Sequence, residues 1–451
     1  MDVEVTRQEV QIFDTFRKMF VSRIASPFDQ VLWSYDVLLA AHTYPSIWYS
    51  CLAVAAAYGE KPLSFSCRAG GDAIYNPNTF ILKQYTSALK YLTAFASQPL
   101  HTVGEQASFL LSCILLSGVC RLTNNAYEAV LHAQNGSRLF KQWKFQLRAA
   151  EEAQRAWPLL DHKLISAIYG SYESQMLYNW TDSTTAAWPS TTHSLACSEP
   201  PFTSTTEAFT ELLPLFNENY KQRMYRFCPE RSPSDAVLKE AECQWEFNIW
   251  KKKFAALQKL PGYQRASTGS LLLRMYSIAT ELLSVSNSLG DKMDHEAYRS
   301  LYETFLKLNE LALIQEDDTA TDIGPSTKVF SYSSGICSVA AAVGHVCRIT
   351  EIRKTIIRQL RQYKRQDGVW QSACVAAIQE ALLDHDKEIM FDENFDRTGD
   401  CRCVYGDYVC SLHRVAFCPH VRNEGQAIVI RLLTKEDIQQ GRLGREMLVR
   451  Y

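Results

Sequence analysis

From Leu271 onward the apolar positions Leu271, Leu272, Met275, Ile278, Ala279, Leu282 and Val285 recur at steps of three and four, which places them along one side of a helix. Gly290 interrupts the pattern, as a glycine after a helix C-terminus does. It resumes with Tyr298, Leu301, Tyr302, Phe305, Leu308 and Ala312, so the segment predicts two antiparallel helices joined by a short Gly-Asp turn. Similar periodicity runs through nearly all of the chain before residue 395, with no fixed period of the kind that marks the common repeat arrays. The fold class expected is therefore mainly α, a large helical array of stacked helical hairpins.

Two interruptions organise this array. Between Thr181 and Thr206, 16 of 26 residues are Ser, Thr or Pro, a composition that neither sustains a helix nor buries a face. A second loop is expected over Glu316 to Ser326, where Asp317, Asp318, Gly324 and Pro325 cluster. Past Asp396 the pattern changes: Asp407 to Val421 and Ala427 to Thr434 read as strands, joined at Asn423-Glu424-Gly425. The expected organisation is an N-terminal helical half over 1–180, a linker over 181–206, a C-terminal helical half over 207–395 and a small β-hairpin tail over 396–451.

Composition removes several classes of function. With 47% hydrophobic residues and 21% charged, the 451-residue chain has the make-up of a packed protein and not of a disordered one. The 47 Lys and Arg against 49 Asp and Glu leave a formal charge of -2, so attraction to nucleic acid or an anionic membrane has to be local. The acidic start, Met1-Asp2-Val3-Glu4-Val5, lacks the features of a signal peptide, and a reducing compartment is expected. There the 14 cysteines read as buried thiols and the sequons at Asn135 and Asn179 carry no weight. The apolar runs Phe109 to Cys120 and Ile47 to Tyr58 are shorter than the roughly 18 residues of a membrane span and predict buried core helices.

The tail carries the densest set of metal-ligating residue types: Cys401, Cys403, Cys410, His413, Cys418 and His420. The C-x-C spacing of Cys401 and Cys403 differs from the C-x2-C of a knuckle. If Asp407 to Val421 is one strand, Cys410 and Cys418 stand roughly 27 Å apart at about 3.4 Å per residue, with His413 on the opposite face. Only sharp bends, which Gly406 and Pro419 could supply, would bring them together. The spacing favours buried or half-buried strand cysteines, no bound cofactor and no stoichiometric zinc, with Cys401, Cys403, Cys410 and Cys418 as the weaker metal candidates.

A basic stretch follows Arg348. Lys354, Arg358, Arg361 and Arg365 fall at steps of four, three and four, opposite Ile349, Ile352, Ile356, Leu360 and Tyr363, which predicts an amphipathic helix with a cationic face. Such a face is usually solvated and otherwise suits an acidic partner or a phosphate backbone. Lys251-Lys252-Lys253 is a short run suggestive of nuclear import. The acidic group Asp384, His385, Asp386, Glu388, Asp392 and Glu393 has the residue types of a hard-metal site but reads as solvent-facing. Ser87-Ala88-Leu89-Lys90 matches S-x-x-K without its companion motifs. The dinucleotide, P-loop, zincin and serine-hydrolase signatures are missing, so no catalytic residue is assigned.

Cys347-Arg348, Arg353, Ile356, Leu360 and Lys364-Arg365-Gln366-Asp367-Gly368-Val369-Trp370 resemble the late helix and following turn of the fungal-specific transcription factor domain, the regulatory region of zinc-cluster regulators. Tyr85, Ala88 and Leu89, Phe109 to Leu116, and Ala129, His132, Gly136 and Leu139 resemble the family's N-terminal helices. Leu412-His413-Arg414-Val415 and Ile428 to Thr434 resemble its ending. Members normally open with a binuclear zinc cluster of six cysteines; here the first cysteines are Cys51 and Cys67, and Arg7, Arg17, Lys18 and Arg23 are too sparse to replace it. The resemblance thus implies a nuclear, transcription-regulator-like protein, with the cytoplasm as the other compartment. It would act through other transcription regulators or coregulators, with a small-molecule effector, no sequence-specific DNA binding of its own and no membrane. It also implies control of a secondary-metabolite gene cluster. The alternative from another class is a cluster-encoded enzyme or metabolite-binding protein with a helical pocket.

Overall fold

The computed structural model describes residues 4–58, 77–96, 102–153, 160–178, 200–225, 233–320, 329–333, 335–363, 365–368, 370–423 and 427–451. Over these residues the fold is mainly α. It divides into two compact units: Met1–Tyr172 with Phe330–Ser333, and Glu173–Val329 with Ser334–Tyr451. Most of the Ser/Thr/Pro linker and the centre of the expected turn at Asn423-Glu424-Gly425 lie outside the described residues. The helix Thr205–Tyr225 already begins inside the span expected as linker.

The first unit is built around the helix Val103–Leu122. Thr102 and Glu105 form a reciprocal capping box that starts it. Its length and hydropathy would suit a membrane span, but 89% of its most apolar window is buried inside the protein. The hydroxyls of Ser108, Ser112 and Ser117 donate to the carbonyls of Glu105, Ser108 and Ala129, so an almost wholly buried helix leaves these groups satisfied. Phe109, Cys113 and Leu116 pack with Ala88 and Leu92, and Tyr49, Tyr85, Leu139 and Trp143 close the cluster. The Tyr85 hydroxyl lies 2.6 Å from His132 Nε2. Gly136 leaves room for the Tyr169 ring, which a Cβ there would strike. These residues of the N-terminal resemblance are core contacts.

Phe330–Ser333 threads into this unit. Tyr332 stacks on Trp33 at 4.8 Å, donates to the Leu115 carbonyl at 3.4 Å and fills the space left by Gly118. The next residue, Ser333, donates to the carboxylate of Asp29, which also accepts from the Ser26 amide at 2.6 Å. Burial raises the Asp29 carboxyl to about 6.

The second unit contains the expected helical hairpin. Ser267 caps Thr268–Leu289, Gly290 ends it at φ 56°, and after two short 3₁₀ turns the chain returns as Arg299–Ala320. The last of these helices overruns the start of the loop expected from Glu316. Ile336–Val346, Thr350–Gln362 and Ser372–Phe391 complete the helical part. Three short strands interrupt the all-helical region expected before residue 395: Val329–Ser331, and the antiparallel pair Arg365–Asp367 with Trp370–Gln371, which Gly368 turns at φ 55°.

The tail departs further from expectation. Asp407 to Val421 is not one strand: Tyr408 makes one isolated bridge, and ladder pairing begins at Val415–Phe417 and His420–Asn423, which run antiparallel to Ala427–Thr434 with a shift of register in each pair. A fourth strand, Arg445–Arg450, pairs with the same long strand, so the tail is a small sheet and not a hairpin. Its side chains are mostly exposed, with Val449 buried, which leaves no alternating apolar signal to read.

Gly118→Ala is expected to destabilise the first unit by about 1–3 kcal/mol, because the added methyl meets the ring of Tyr332 in a filled site. Urea unfolding of the variant beside wild type checks this; an unchanged midpoint would contradict the packing described.

Candidate metal centre

The loop after Ser372–Phe391 is folded back by its own polar groups. Arg397 donates to the carbonyls of Ile389, Asp392 and Phe395 at 3.1, 2.9 and 3.1 Å, which occupies carbonyls that the helix end leaves open. Its guanidinium also lies over the Phe395 and Tyr405 rings. The Gly406 amide bonds to the Met390 carbonyl at 3.0 Å. Val404 and Tyr408 pair across a tight turn, where Gly406 takes φ 73°. That reversal sets Cys403 opposite Cys410. A second turn, with the His413 and Arg414 amides both donating to the Cys410 carbonyl, brings the imidazole back over the thiols.

The result is a cluster of Cys401, Cys403, Cys410 and His413 whose ligand atoms all lie within 4.8 Å of one another. His413 Nδ1 stands 3.6, 3.4 and 3.3 Å from the sulfurs of Cys401, Cys403 and Cys410, and the last two sulfurs are 3.6 Å apart. A disulfide would need roughly 2.05 Å. A zinc tetrahedron with Zn–S of about 2.3 Å and Zn–N of about 2.0–2.1 Å has edges of roughly 3.8 Å between sulfurs and 3.5 Å between sulfur and nitrogen, close to the spacing here. Three sulfurs and one imidazole nitrogen are the donor set of a structural zinc site.

The surroundings suit thiolates on a metal. The Cys403 amide donates to Cys401 Sγ and the Cys410 amide to Cys403 Sγ, each at 3.4 Å. Phe395 packs edge-on against the His413 ring at 4.9 Å. Ile389, Val409, Tyr408 and Leu412 enclose the sulfurs in a small satellite core. Burial and the neighbouring thiols push Cys403 up to about 12, and burial lowers His413. A metal cation would displace the Cys403 proton, and burial favours the neutral imidazole that can ligate.

The structure therefore corrects the reading of the tail as strand cysteines too far apart to share a metal. His413 lies with Cys410 and not opposite to it, because the chain turns where a strand was expected. Cys418 is buried elsewhere, beside Cys374, and burial raises it to about 12. The Cys410-x2-His413 spacing was the signal in the sequence that could have found the centre.

The basic face is also corrected. Thr350–Gln362 ends before Arg365, which belongs to the following strand and is buried against Asp367 at 2.7 Å. Asp367 in turn accepts from the Cys337 amide at the start of Ile336–Val346. Lys354 pairs with Glu351, and Arg361 grips both carboxylate oxygens of Glu380, which leaves Arg358 as the exposed member without such a pair. Lys253 is buried against Glu211 and over the Phe202 ring, so the lysine run is partly structural. The acidic group disperses: Asp384 pairs with Lys387, Glu388 with Arg445, and Asp386 is buried between Arg353 and Arg414. Ser87 and Lys90 lie on the helix Pro77–Ala96, with Lys90 exposed. Compared with protein-family models, with curated proteins and with solved structures, the chain matches none.

Metal analysis of purified protein is expected to give about one zinc per chain, lost in Cys403→Ser, Cys410→Ser and His413→Ala and kept in Cys418→Ser. Because zinc displaces protons from the thiols, its affinity should fall on acidification from about pH 7.5 to about 5.5. Zinc retained in Cys403→Ser, or no zinc in wild type after refolding with the metal, would defeat the assignment. Arg365→Ala leaves Asp367 buried without its charge partner and is expected to cost about 3–5 kcal/mol, measured by denaturant unfolding, whereas Arg358→Ala should be nearly neutral.

Proposed function

We propose that the chain is a non-enzymatic, transcription-regulator-like protein in which a zinc-ordered tail completes a helical scaffold that works by binding other proteins. The observation that carries the reading is the closed donor set of the metal centre. Cys401, Cys403, Cys410 and His413 supply every corner of a tetrahedron, which is the pattern of a structural zinc and leaves no open position for a reacting water. The resemblance to the regulatory region of zinc-cluster regulators supports the transcriptional assignment, with a nuclear location and control of a secondary-metabolite gene cluster as its implications.

Two further features support protein contact over DNA contact. Of the expected basic face, Lys354, Arg361 and Arg365 are engaged by carboxylates of the same chain, which lowers its attraction for phosphates. On Pro233–Leu257, Leu238 and Trp245 lie seven residues apart on one side of the helix and are 71% and 63% exposed. An exposed tryptophan is the residue type that anchors protein interfaces.

Tethering the full chain to an unrelated DNA-binding domain upstream of a fungal reporter is expected to change transcription, and Leu238→Asp with Trp245→Asp to abolish the change. In anisotropy titrations the untethered chain should bind promoter and scrambled duplexes about equally, and only at low salt. An unmoved reporter, or a large preference for promoter DNA at physiological salt, would overturn the proposal.

A further inference from the structure

The loop that carries the metal ligands also exposes large apolar side chains. Phe391, the last residue of Ser372–Phe391, is 57% exposed, and Val404 and Tyr405, between Cys403 and the turn at Gly406, are each 51% exposed. The Phe391 and Tyr405 rings meet edge-on with centroids 6.3 Å apart, so the helix end and the turn contribute to one patch. The satellite core around Ile389 and Val409 closes without them. The patch is held in place from within: the Arg397 guanidinium lies over the Tyr405 ring at 5.6 Å while it donates to the carbonyls of Ile389 and Asp392, and the Tyr405 hydroxyl donates to Glu393 at 3.5 Å. Aromatic rings fixed in advance at the surface are economical anchors, because little side-chain freedom is lost when a partner covers them.

The charge around the patch is mostly of one sign. Residues 392–407 carry five exposed carboxylates, Asp392, Glu393, Asp396, Asp400 and Asp407, against the two guanidiniums of Arg397 and Arg402. The resulting -3 is more negative than the -2 of the whole chain. Arg397 is turned onto carbonyls of the helix end. Thr398 donates to Asp396 through its amide and its hydroxyl at 2.9 and 2.7 Å, which holds that carboxyl below the usual carboxylate range and keeps it charged. Three thiolates on a zinc dication would leave the centre itself negative.

This pairing of aromatic surface with an acidic surround selects the occupant. Nucleic acid and anionic membranes are repelled by the carboxylates. A second copy docked two-fold through the patch would set the same acidic residues against themselves. We propose that Phe391, Val404 and Tyr405 anchor a docking surface for a basic segment of another protein, whose apolar side chains cover the rings while its lysines or arginines meet the surrounding carboxylates. The surface uses residues other than Leu238 and Trp245 and does not rest on the transcriptional reading. It does draw on the metal centre, since ligation of Cys403 and Cys410 orders the turn that presents Tyr405.

The probe is a fluorescein-labelled amphipathic peptide of leucine and lysine, about five helical turns long, titrated by anisotropy with the full chain while zinc content is measured beside each run. Two control peptides carry glutamate for lysine or serine for leucine. Saturable binding of the leucine-lysine peptide alone is expected, weakening as salt rises. Phe391→Ser with Tyr405→Ser should weaken it by about tenfold, and Asp396→Asn with Asp400→Asn and Asp407→Asn by about threefold with a flatter salt dependence. Leu238→Asp with Trp245→Asp should leave it unchanged. Circular dichroism establishes that each variant is folded; if the aromatic variant is not, the carboxylate variant decides. Stripping the zinc should abolish binding, whereas patch-dependent binding by a chain that holds no zinc supports the surface and defeats only the metal reading. Equal binding of the glutamate peptide, or an affinity that the aromatic and carboxylate variants leave unchanged, overturns the proposal. So does sedimentation showing that the chain alone dimerises through Phe391 and Tyr405.

Discussion

The C-terminal part of the second unit depends on the electrostatics of four soft ligand atoms gathered at one point. Three sulfurs within 3.3–3.6 Å of a single imidazole nitrogen form the donor set that suits a zinc ion. The loop that carries them has only a satellite core around Ile389 and Val409 to hold it. A metal bound only by the folded form would stabilise such a loop directly. From this point the chain passes straight through Arg414 into the strand Val415–Phe417, so the sheet and the buried Arg414–Asp386 pair share one anchor.

Arg353 and Arg414 on Asp386, and the Arg365–Asp367 pair, place positive charge inside the protein, where helical spacing puts Arg365 outside. Helical spacing of Lys354, Arg358, Arg361 and Arg365 describes a face only as long as the helix lasts, and Thr350–Gln362 stops short of the last member. What the pattern could not convey is that Arg365 and Asp367 stand on one side of a short strand and satisfy each other there. Their role is to close the start of the neighbouring helix at Cys337, and the charge is unavailable to a partner.

Helices were legible because their determinants are local. The three- and four-residue spacing from Leu271 to Val285, the stop at Gly290 and the restart near Tyr298 all lie within a window shorter than the elements they define. The metal centre was legible in composition but not in geometry. Its ligands lie on two turns, and apolar and aromatic residues such as Tyr408, Val409 and Val415 between polar ones imitate a strand when the turn at Gly406 is not given its weight. The strand Arg445–Arg450 was silent for the opposite reason: it is held by backbone bonds to Ala427–Thr434 and buries little that a pattern could register. The buried Arg353–Asp386–Arg414 ion pair joins residues from 353 to 414 on separate elements, and no spacing rule reaches across such a distance.

The thread Phe330–Ser333 has a consequence for biosynthesis. Tyr332 occupies a space beside Gly118 and Trp33, and Ser333 binds Asp29, yet these two residues are made long after the helices they complete. At roughly 5–20 residues per second, Tyr332 leaves the ribosome roughly ten to forty seconds after Gly118. During that interval a helix as apolar as a membrane span lacks one of its covers. The N-terminal unit is therefore finished from the C-terminal direction, and a nascent chain arrested before residue 330 would offer chaperones and membranes an open groove that the full-length protein never displays.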